Sequence, residues 1–259
     1  MLRPRKHLGQ HFLHDQNIAR KIVGALEADP GDPVVEIGPG TGALTGLLVD
    51  RFKHVQAIEV DPRAAELLRE SYPSASVHLS DVLTVDWNQI SESSGGLLTV
   101  IGNLPYNITS QILFSLLDAS MVFSEAVLMM QYEVAERLVA TPSTKAYGIL
   151  SVATQLATRP KMLFSVSRSV FYPKPDVRSA VVRLDFGAMS KLPEGSDPRW
   201  IRRVLRTAFN QRRKTLRNSL KVISESNNLP VPGEFADKRA EELTPDDFVQ
   251  LAGYLQTDL

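Results

Sequence analysis

Short apolar runs alternate with amphipathic segments along the first half of the chain. The apolar runs predict buried strands at residues 34–37, 55–58, 77–79, 98–101 and 126–130. Between them, apolar positions at helical spacing predict helices at residues 16–28, 43–49, 63–70 and 110–117. Strands and helices that alternate at this spacing indicate parallel βαβ units. We therefore expect an α/β fold with a Rossmann-like, doubly wound sheet.

The pattern changes in the last third of the chain. Residues 179–186 predict one more strand, and residues 189–197 have the composition of a linker. Beyond the linker, segments of helical periodicity alternate with turns. We therefore expect two domains, residues 1–187 with the sheet and residues 188–259 as a small C-terminal helical domain.

Composition excludes several classes of protein. The 259 residues are 43% hydrophobic and 22% charged, as in a folded water-soluble protein. No apolar run approaches the roughly 20 residues that span a bilayer, and the N-terminus lacks the apolar core of a secretory signal. We therefore expect a cytoplasmic protein without a membrane partner. The lack of cysteine excludes a thiolate metal site, and the five histidines lack metal-ligand spacing, so no metal is expected.

Polar signals follow four of the predicted strands. A glycine-rich loop starts at Gly38, and Glu59, Asp81 and Asn103 follow three other strands. In open α/β sheets, ligands bind beyond the carboxyl ends of the strands. Glycines let the backbone approach a ligand closely, and a carboxylate at Glu59 can accept hydrogen bonds from both hydroxyls of a ribose. A tight turn without a ligand explains the glycine loop alone, but the four signals together predict a ligand site.

The tetrapeptide Asn103-Leu104-Pro105-Tyr106 is the most specific of these signals. An exocyclic adenine amine is a poor nucleophile because its lone pair is delocalised into the ring. The side-chain oxygen of Asn103 and the carbonyl of Leu104 can hold its two hydrogens in the geometry for attack on a methyl group. Pro105 fixes the turn, and Tyr106 offers a ring on which the base can stack. Standing alone, the tetrapeptide would be interpreted as a proline turn after a buried strand.

Together these motifs resemble those of the rRNA adenine N6-dimethyltransferase family. The resemblance is to the type that modifies two adjacent adenosines near the 3′ end of small-subunit (16S) rRNA. The matching stretches are residues 9–13, 36–42, 59–61, 81–83, 102–106, 171–182 and 210–217. The resemblance implies a methyltransferase sheet in residues 1–187 and an RNA-binding role for residues 188–259.

The resemblance also implies the cofactor and the residues around it. S-adenosylmethionine would be held by His11, Leu13, Gly38, Gly40, Glu59, Asp81 and Asn103. Asn103, Leu104, Pro105 and Tyr106 would hold the target adenine, with Phe171 packed on its other face. Many members of the family have Asn where this chain has His11, and both side chains offer a polar atom.

A cluster of positive charge lies in the C-terminal region of this electrically neutral chain. Nine basic residues and no Asp or Glu lie between Arg199 and Lys221. Apolar residues at positions 201, 204, 205, 208 and 209 predict a helix with one core-facing side. Without acidic partners at i±4, the basic side is expected either to bind RNA phosphates or to be a solvated face. The candidate RNA-binding residues are Arg202, Arg206, Arg212, Arg213, Lys214 and Arg217.

The resemblance therefore implies S-adenosylmethionine-dependent dimethylation of two adjacent adenosines in 16S rRNA, with a role in small-subunit biogenesis. The expected partner is small-subunit rRNA or a pre-30S particle, and a monomer is expected. One alternative is a large-subunit rRNA adenine N6-methyltransferase of the antibiotic-resistance type, although Leu104 and residues 210–217 are closer to the small-subunit type. Others are a non-catalytic ribosome-assembly factor on the same fold and an NAD-dependent dehydrogenase, for which no hydride-transfer site is visible.

Overall fold

The computed structural model of the protein describes residues 2–187 and 196–256. The strands are β1 Phe12–Leu13, β2 Pro33–Ile37, β3 His54–Glu59, β4 Ser76–Leu79, β5 Leu98–Asn103, β6 Phe123–Gln131, β7 Arg159–Val166, β8 Phe171–Tyr172 and β9 Ser179–Asp185. The helices are α1 Gln16–Val23, α2 Thr45–Arg51, α3 Pro62–Ser71, α4 Trp87–Ser94, α5 Thr109–Asp118, α6 Tyr132–Leu138, α7 Ile149–Ala157, α8 Pro198–Asn210, α9 Leu216–Ser219, α10 Lys221–Asn227, α11 Gly233–Ala236 and α12 Pro245–Tyr254.

Seven of the strands form one sheet in the order β4-β3-β2-β5-β6-β9-β7. The strands from β4 to β6 are parallel, whereas β9 runs antiparallel to both β6 and β7. The strand order reverses between β2 and β5, so the carboxyl ends of these two strands border the crevice where doubly wound sheets bind ligands. The α/β architecture predicted from the sequence is confirmed.

The predicted strands and helices are all present, and most of the differences concern their ends. Helix α1 ends at Val23 instead of residue 28, because the backbone tightens there: the amide of Ala25 donates to the carbonyl of Ile22 at 3.1 Å. Leu26 is nevertheless buried. The apolar periodicity of residues 16–28 therefore predicted the burial of Leu26 correctly and the end of the helix wrongly.

Two parts of the strand arrangement were not predicted. Strand β7 lies at the edge of the sheet, where Pro160 is tolerated and the apolar alternation is irregular. Strands β1 and β8 form a separate antiparallel pair in which Phe12 lies opposite Tyr172 and Leu13 opposite Phe171. Strands of two residues are too short to produce a periodic signal.

The chain divides into two compact units that differ from the expected contiguous ranges. Residues 2–135 pack with residues 159–187, whereas residues 136–158 pack with residues 196–256. Assignment of residues 136–158 to the first domain was therefore wrong. The reason lies in long-range contacts of the kind made by Tyr147, which is fully buried and donates a hydrogen bond to the carbonyl of Leu243 at 2.7 Å. Most of the expected linker at residues 189–197 lies outside the described residues.

The second unit is helical, as predicted. Asp197 caps α8 by accepting a hydrogen bond from the amide of Arg199 at 2.8 Å. The core-facing residues of α8 are those expected from the periodicity, since Ile201, Val204, Leu205 and Ala208 are buried. The ring of Phe209 lies 5.6 Å from that of Phe248.

The structure gives two negative findings for residues 2–187 and 196–256. No helix there combines the length and the apolar character needed to cross a membrane. No group of three or more His, Asp or Glu side chains there is arranged to hold a metal ion.

Candidate active site

A cleft opens at the carboxyl edge of strands β2 to β5. Its empty volume, including the open mouth, is about 880 Å³, which is within the range of small-molecule sites. Residues 8–13 of the N-terminal segment form one wall, and the loops that follow the strands form the others. All of the predicted cofactor-binding residues line it, namely His11, Leu13, Gly38, Gly40, Glu59, Asp81 and Asn103.

The two glycines predicted to approach the cofactor have different surroundings. Both have positive φ values, +64° at Gly38 and +58° at Gly40, which disfavour any other residue. A Cβ on Gly38 would have only the Asn103 carbonyl oxygen near it, at 3.9 Å, so the space beside this residue is open. A Cβ on Gly40 would lie 2.9 Å from the ring of Phe12. Gly38 therefore leaves room for a ligand, whereas Gly40 lets the N-terminal segment pack against the loop.

Glu59 is a buried carboxylate at the end of β3, with 4% of its surface exposed. Its Oε2 accepts a hydrogen bond from the amide of Gly40 at 3.0 Å, and its Oε1 accepts one from the amide of Asp61 at 2.8 Å. Burial raises the pKa of Glu59, and these amide donors oppose that rise. Each oxygen retains a second lone pair that can accept a hydrogen bond from a ligand hydroxyl.

Glu36 is a cleft residue that the sequence reasoning missed. It lies in β2 with 1% of its surface exposed, and Thr45 Oγ1 donates to its Oε2 at 2.6 Å. Burial, opposed by this hydrogen bond and assisted by the charge of Glu59, raises the pKa of Glu36 to about 8. At neutral pH Glu36 is therefore protonated. The available signal was a single carboxylate within an otherwise apolar strand.

Asp61 connects the end of β3 to the N-terminal segment. Its fully buried carboxylate accepts hydrogen bonds from Arg63 Nη2 at 2.6 Å and from Gln10 Nε2 at 3.2 Å. The Arg63 guanidinium holds the pKa of Asp61 down at about 2. Gln10 Oε1 in turn accepts a hydrogen bond from the amide of Arg5 at 2.8 Å. Asp61 caps α3, as expected, and also fastens the wall of the cleft that contains His11.

Asn103 has its side-chain amide oriented by the same segment. Its Nδ2 donates to the carbonyl oxygen of His11 at 2.9 Å. Because a carbonyl can only accept, this bond identifies the nitrogen side of the amide and leaves Oδ1 as an acceptor. The predicted role of Asn103 requires this orientation.

Tyr106 is held on two sides. Its hydroxyl and Ser179 Oγ are 2.6 Å apart, and the His11 ring stacks on its ring with a centroid distance of 5.2 Å. His11 Nδ1 lies 2.7 Å from the carbonyl oxygen of Pro173, so Nδ1 carries the proton of that hydrogen bond. Together with Asn103, Leu104 and Pro105, Tyr106 lines the cleft, as expected of the tetrapeptide.

Phe171 is not beside the tetrapeptide in the cleft. Only 3% of its surface is exposed, and it packs in the core with residues that include Leu13. It is absent from the cleft lining among the described residues. The expected contact of Phe171 with the target base therefore stays a prediction, and the aromatic neighbour of Tyr106 in this structure is His11.

The candidate RNA-binding residues lie in the second unit, and two of them have acidic partners. Arg212 Nε lies 2.6 Å from Glu241 Oε2, and Arg217 Nη2 lies 3.0 Å from Asp237 Oδ1. The sequence pattern addressed acidic partners at i±4 alone, and these two carboxylates come from residues much later in the chain. The remaining candidates on this unit are Arg202, Arg206, Arg213 and Lys214, of which the last three are exposed.

Comparison with known protein families accounts for this arrangement of motifs. The family model described as "Ribosomal RNA adenine dimethylase" matches residues 1–257. The chain belongs to the ribosomal RNA adenine dimethylase family. Among its relatives, "Ribosomal RNA small subunit methyltransferase A" of Salinibacter ruber is 52% identical over 98% of this chain and 85% of its own length. The protein of the same name from Chlorobium chlorochromatii is 46% identical over 98% of this chain and 94% of its own.

Two solved structures of methyltransferases have the same fold. A dimethyladenosine transferase from Plasmodium falciparum is similar with a TM-score of 0.76 at 28% identity, covering 93% of this chain and 96% of its own. The 23S rRNA methyltransferase ErmE gives a TM-score of 0.68 at 27% identity, covering 95% of this chain and 100% of its own. The expected Rossmann-like methyltransferase fold, the rRNA adenine methyltransferase activity and the S-adenosylmethionine cofactor are confirmed.

The proton on Glu36 makes stability dependent on pH. Burial raises its pKa from 4.5 to about 8, so between these values the folded state binds up to one more proton than the unfolded chain. The free energy of unfolding should therefore fall as pH rises through this window, by up to about 1.4 kcal/mol per pH unit. Urea unfolding of Glu36→Gln should show a flatter dependence on pH than the unmodified protein.

The matched control is Glu66→Gln, which removes an exposed carboxylate from α3. This variant should keep the dependence of the unmodified protein. If Glu36→Gln and the unmodified protein lose stability in parallel between pH 5.5 and 8, Glu36 does not carry the extra proton.

Proposed function

We propose that this protein transfers methyl groups from S-adenosylmethionine to the N6 amines of two adjacent adenosines near the 3′ end of 16S rRNA. The observation that carries the proposal is the orientation of the Asn103 amide. Its Oδ1 is left as an acceptor at the edge of a cleft that the glycine loop, Glu59 and Asp81 also line. The names of the relatives from Salinibacter ruber and Chlorobium chlorochromatii support the small subunit as the substrate. The 23S rRNA methyltransferase is less similar in sequence.

The residues of the cleft fit S-adenosylmethionine. The open space beside Gly38 admits a ligand, and the free lone pairs of Glu59 suit two ribose hydroxyls. Asp81 Oδ1 accepts a hydrogen bond from the amide of Leu83 at 2.9 Å, so Oδ2 is available to an adenine amine. When bound, the cofactor supplies an electron-poor methyl group on its sulfonium sulfur.

The tetrapeptide prepares the target amine for attack. Asn103 Oδ1 and the Leu104 carbonyl accept hydrogen bonds from its two hydrogens, which favours a pyramidal nitrogen with a localised lone pair. The amide of Leu104 donates to the carbonyl of Met129 at 2.9 Å, so the neighbouring strand fixes this turn. Tyr106, held by Ser179, provides the aromatic surface for the base.

The helical unit binds the rRNA through its phosphates. Arg206, Arg213 and Lys214 are exposed and make no ion pair within the described part of the chain. They therefore contribute more than Arg212 and Arg217, whose charges are partly neutralised by carboxylates. The proposed setting is the cytoplasm, with a monomer acting on the pre-30S particle and contributing to small-subunit biogenesis.

Methyl transfer from labelled S-adenosylmethionine tests this function. The protein should label small-subunit particles at two adjacent adenosines and leave large-subunit particles unlabelled. Asn103→Ala should slow single-turnover transfer by about 10²–10³, the scale for loss of one aligned hydrogen-bond partner of a transition state. Cofactor affinity is measured in parallel because Asn103 also lines the cofactor cleft.

Asn88→Ala is the control, since Asn88 is exposed on α4. It should methylate at the unmodified rate. Normal single-turnover transfer by Asn103→Ala would remove the amine-holding role, and labelling confined to large-subunit particles would overturn the proposed substrate.

The salt dependence of rRNA binding tests the basic residues. Each phosphate contact contributes a slope of about −0.7 to −0.9 in log K against log salt. Replacement of Arg206, Arg213 and Lys214 by Gln should therefore flatten the slope by up to about 2 to 3 units. S-adenosylmethionine affinity should not change, because none of the three lines the cleft.

Lys53→Gln provides the comparison, since Lys53 is exposed just before β3, at the opposite edge of the sheet from the cleft. It should leave the slope unchanged. An unaltered slope in the triple variant, with full methylation of rRNA, would mean that the basic run is a solvated face.

A further inference from the structure

Arg178 and Tyr132 form an exposed stacked pair in the first unit. The guanidinium carbon of Arg178 lies 3.5 Å from the centre of the Tyr132 ring. The amide of Tyr132 also donates to the carbonyl of Arg178 at 3.0 Å. Arg178 is exposed and Tyr132 is half-buried. The arrangement presents a planar cation to solvent on a fixed aromatic support.

This pair is one residue along the chain from a contact of the ring proposed to hold the target base. Ser179, the next residue after Arg178, contacts the Tyr106 hydroxyl at 2.6 Å. Ser179 lies opposite Gln131 in the β6–β9 register, and Gln131 immediately precedes Tyr132. The stacked pair and Tyr106 are therefore connected through a single residue of β9.

The loop before Arg178 contacts the residue that stacks on the same ring. The carbonyl of Pro173 contacts His11 Nδ1, and the His11 ring stacks on Tyr106. Between these contacts the loop presents an exposed basic residue, Lys174, and it follows Tyr172, which is 59% exposed. Exposed basic residues and an exposed aromatic ring thus lie on the segment that contacts both His11 and Tyr106.

Single-stranded RNA is the ligand that suits this chemistry. An adenine that enters a cleft must leave its stack, which also removes one stacking neighbour from the next nucleotide. Proteins accommodate such unstacked bases on aromatic rings or on the planes of Arg guanidinium groups. A guanidinium held flat by an aromatic ring provides such a plane, and its charge attracts the adjoining phosphate.

We propose that Arg178, supported by Tyr132, is a stacking subsite for the nucleotide next to the target adenosine. The proposal rests on the proposed methyl transfer to rRNA and specifies part of its substrate recognition. The subsite takes any unstacked base, because stacking depends on the π-face of the base and not on its hydrogen-bonding edge.

The test pairs protein variants with a change in the RNA. A short fluorescein-labelled single strand with two adjacent adenosines is compared with the same strand carrying one abasic nucleotide beside the target. Arg178→Gln should weaken binding of the intact strand by about 10-fold, the scale of one lost stacking contact. It should weaken binding of the abasic strand by a clearly smaller factor, because the base is already missing there and only the attraction to the phosphate is lost.

Two further variants keep the result interpretable. Arg178→Lys retains the charge and removes the planar group, so it should reproduce the selective loss on the intact strand. Lys161→Gln removes one exposed charge from β7 and should bind both strands as the unmodified protein does. S-adenosylmethionine affinity should be unchanged in all three variants, and all three should remain folded at the temperature of the assay.

Equal weakening on both strands by Arg178→Gln, or no weakening on either, would overturn the subsite. Retention of full affinity by Arg178→Lys would assign the effect to charge alone and would also overturn it. Failure of the methyl-transfer proposal is a separate result, since it would be seen as absence of label transfer by the unmodified protein.

Discussion

The buried carboxylate of Glu59 connects the parts from which the cleft is built. One oxygen accepts the amide of Gly40 in the glycine loop, and the other accepts the amide of Asp61 after β3. Asp61 then holds the N-terminal segment through Gln10. The positions of two loops from neighbouring strands, and through Asp61 that of the N-terminal segment, thus depend on a single side chain. These hydrogen bonds hold the Glu59 carboxylate in place without a ligand, which lowers the entropy cost of ordering it on binding.

The N-terminal segment contributes to both the proposed cofactor site and the proposed site of the target amine. It lines the proposed cofactor site, and its backbone carbonyl at His11 orients the Asn103 amide that is proposed to hold the target amine. The ring of His11 also stacks on Tyr106. A single segment therefore couples cofactor binding to the geometry of the acceptor. The Asp61–Gln10 hydrogen bond fastens this segment and so supports both of its proposed roles.

Local sequence patterns predicted those features of the fold and the site that depend on neighbouring residues in the chain. Apolar periodicity located the strands, and residue types at strand ends located Glu59, Asp81 and Asn103. Features that depend on contacts between distant residues were not accessible in this way. The protonated state of Glu36 depends on its burial, and the partners of Arg212 and Arg217 come from residues 241 and 237. Phe171 illustrates the same limit, since a motif cannot specify which way a ring packs.

The most direct test of this account is the affinity of S-adenosylmethionine for Glu59→Gln, measured by isothermal titration calorimetry. The substitution keeps the size of the side chain but replaces one acceptor oxygen by an amide that faces a backbone donor. Loss of a charged hydrogen-bond partner costs about 1–3 kcal/mol, so affinity should fall by roughly 5- to 150-fold in a protein whose circular dichroism is unchanged. A folded Glu59→Gln protein that binds S-adenosylmethionine as tightly as the unmodified chain would contradict the account.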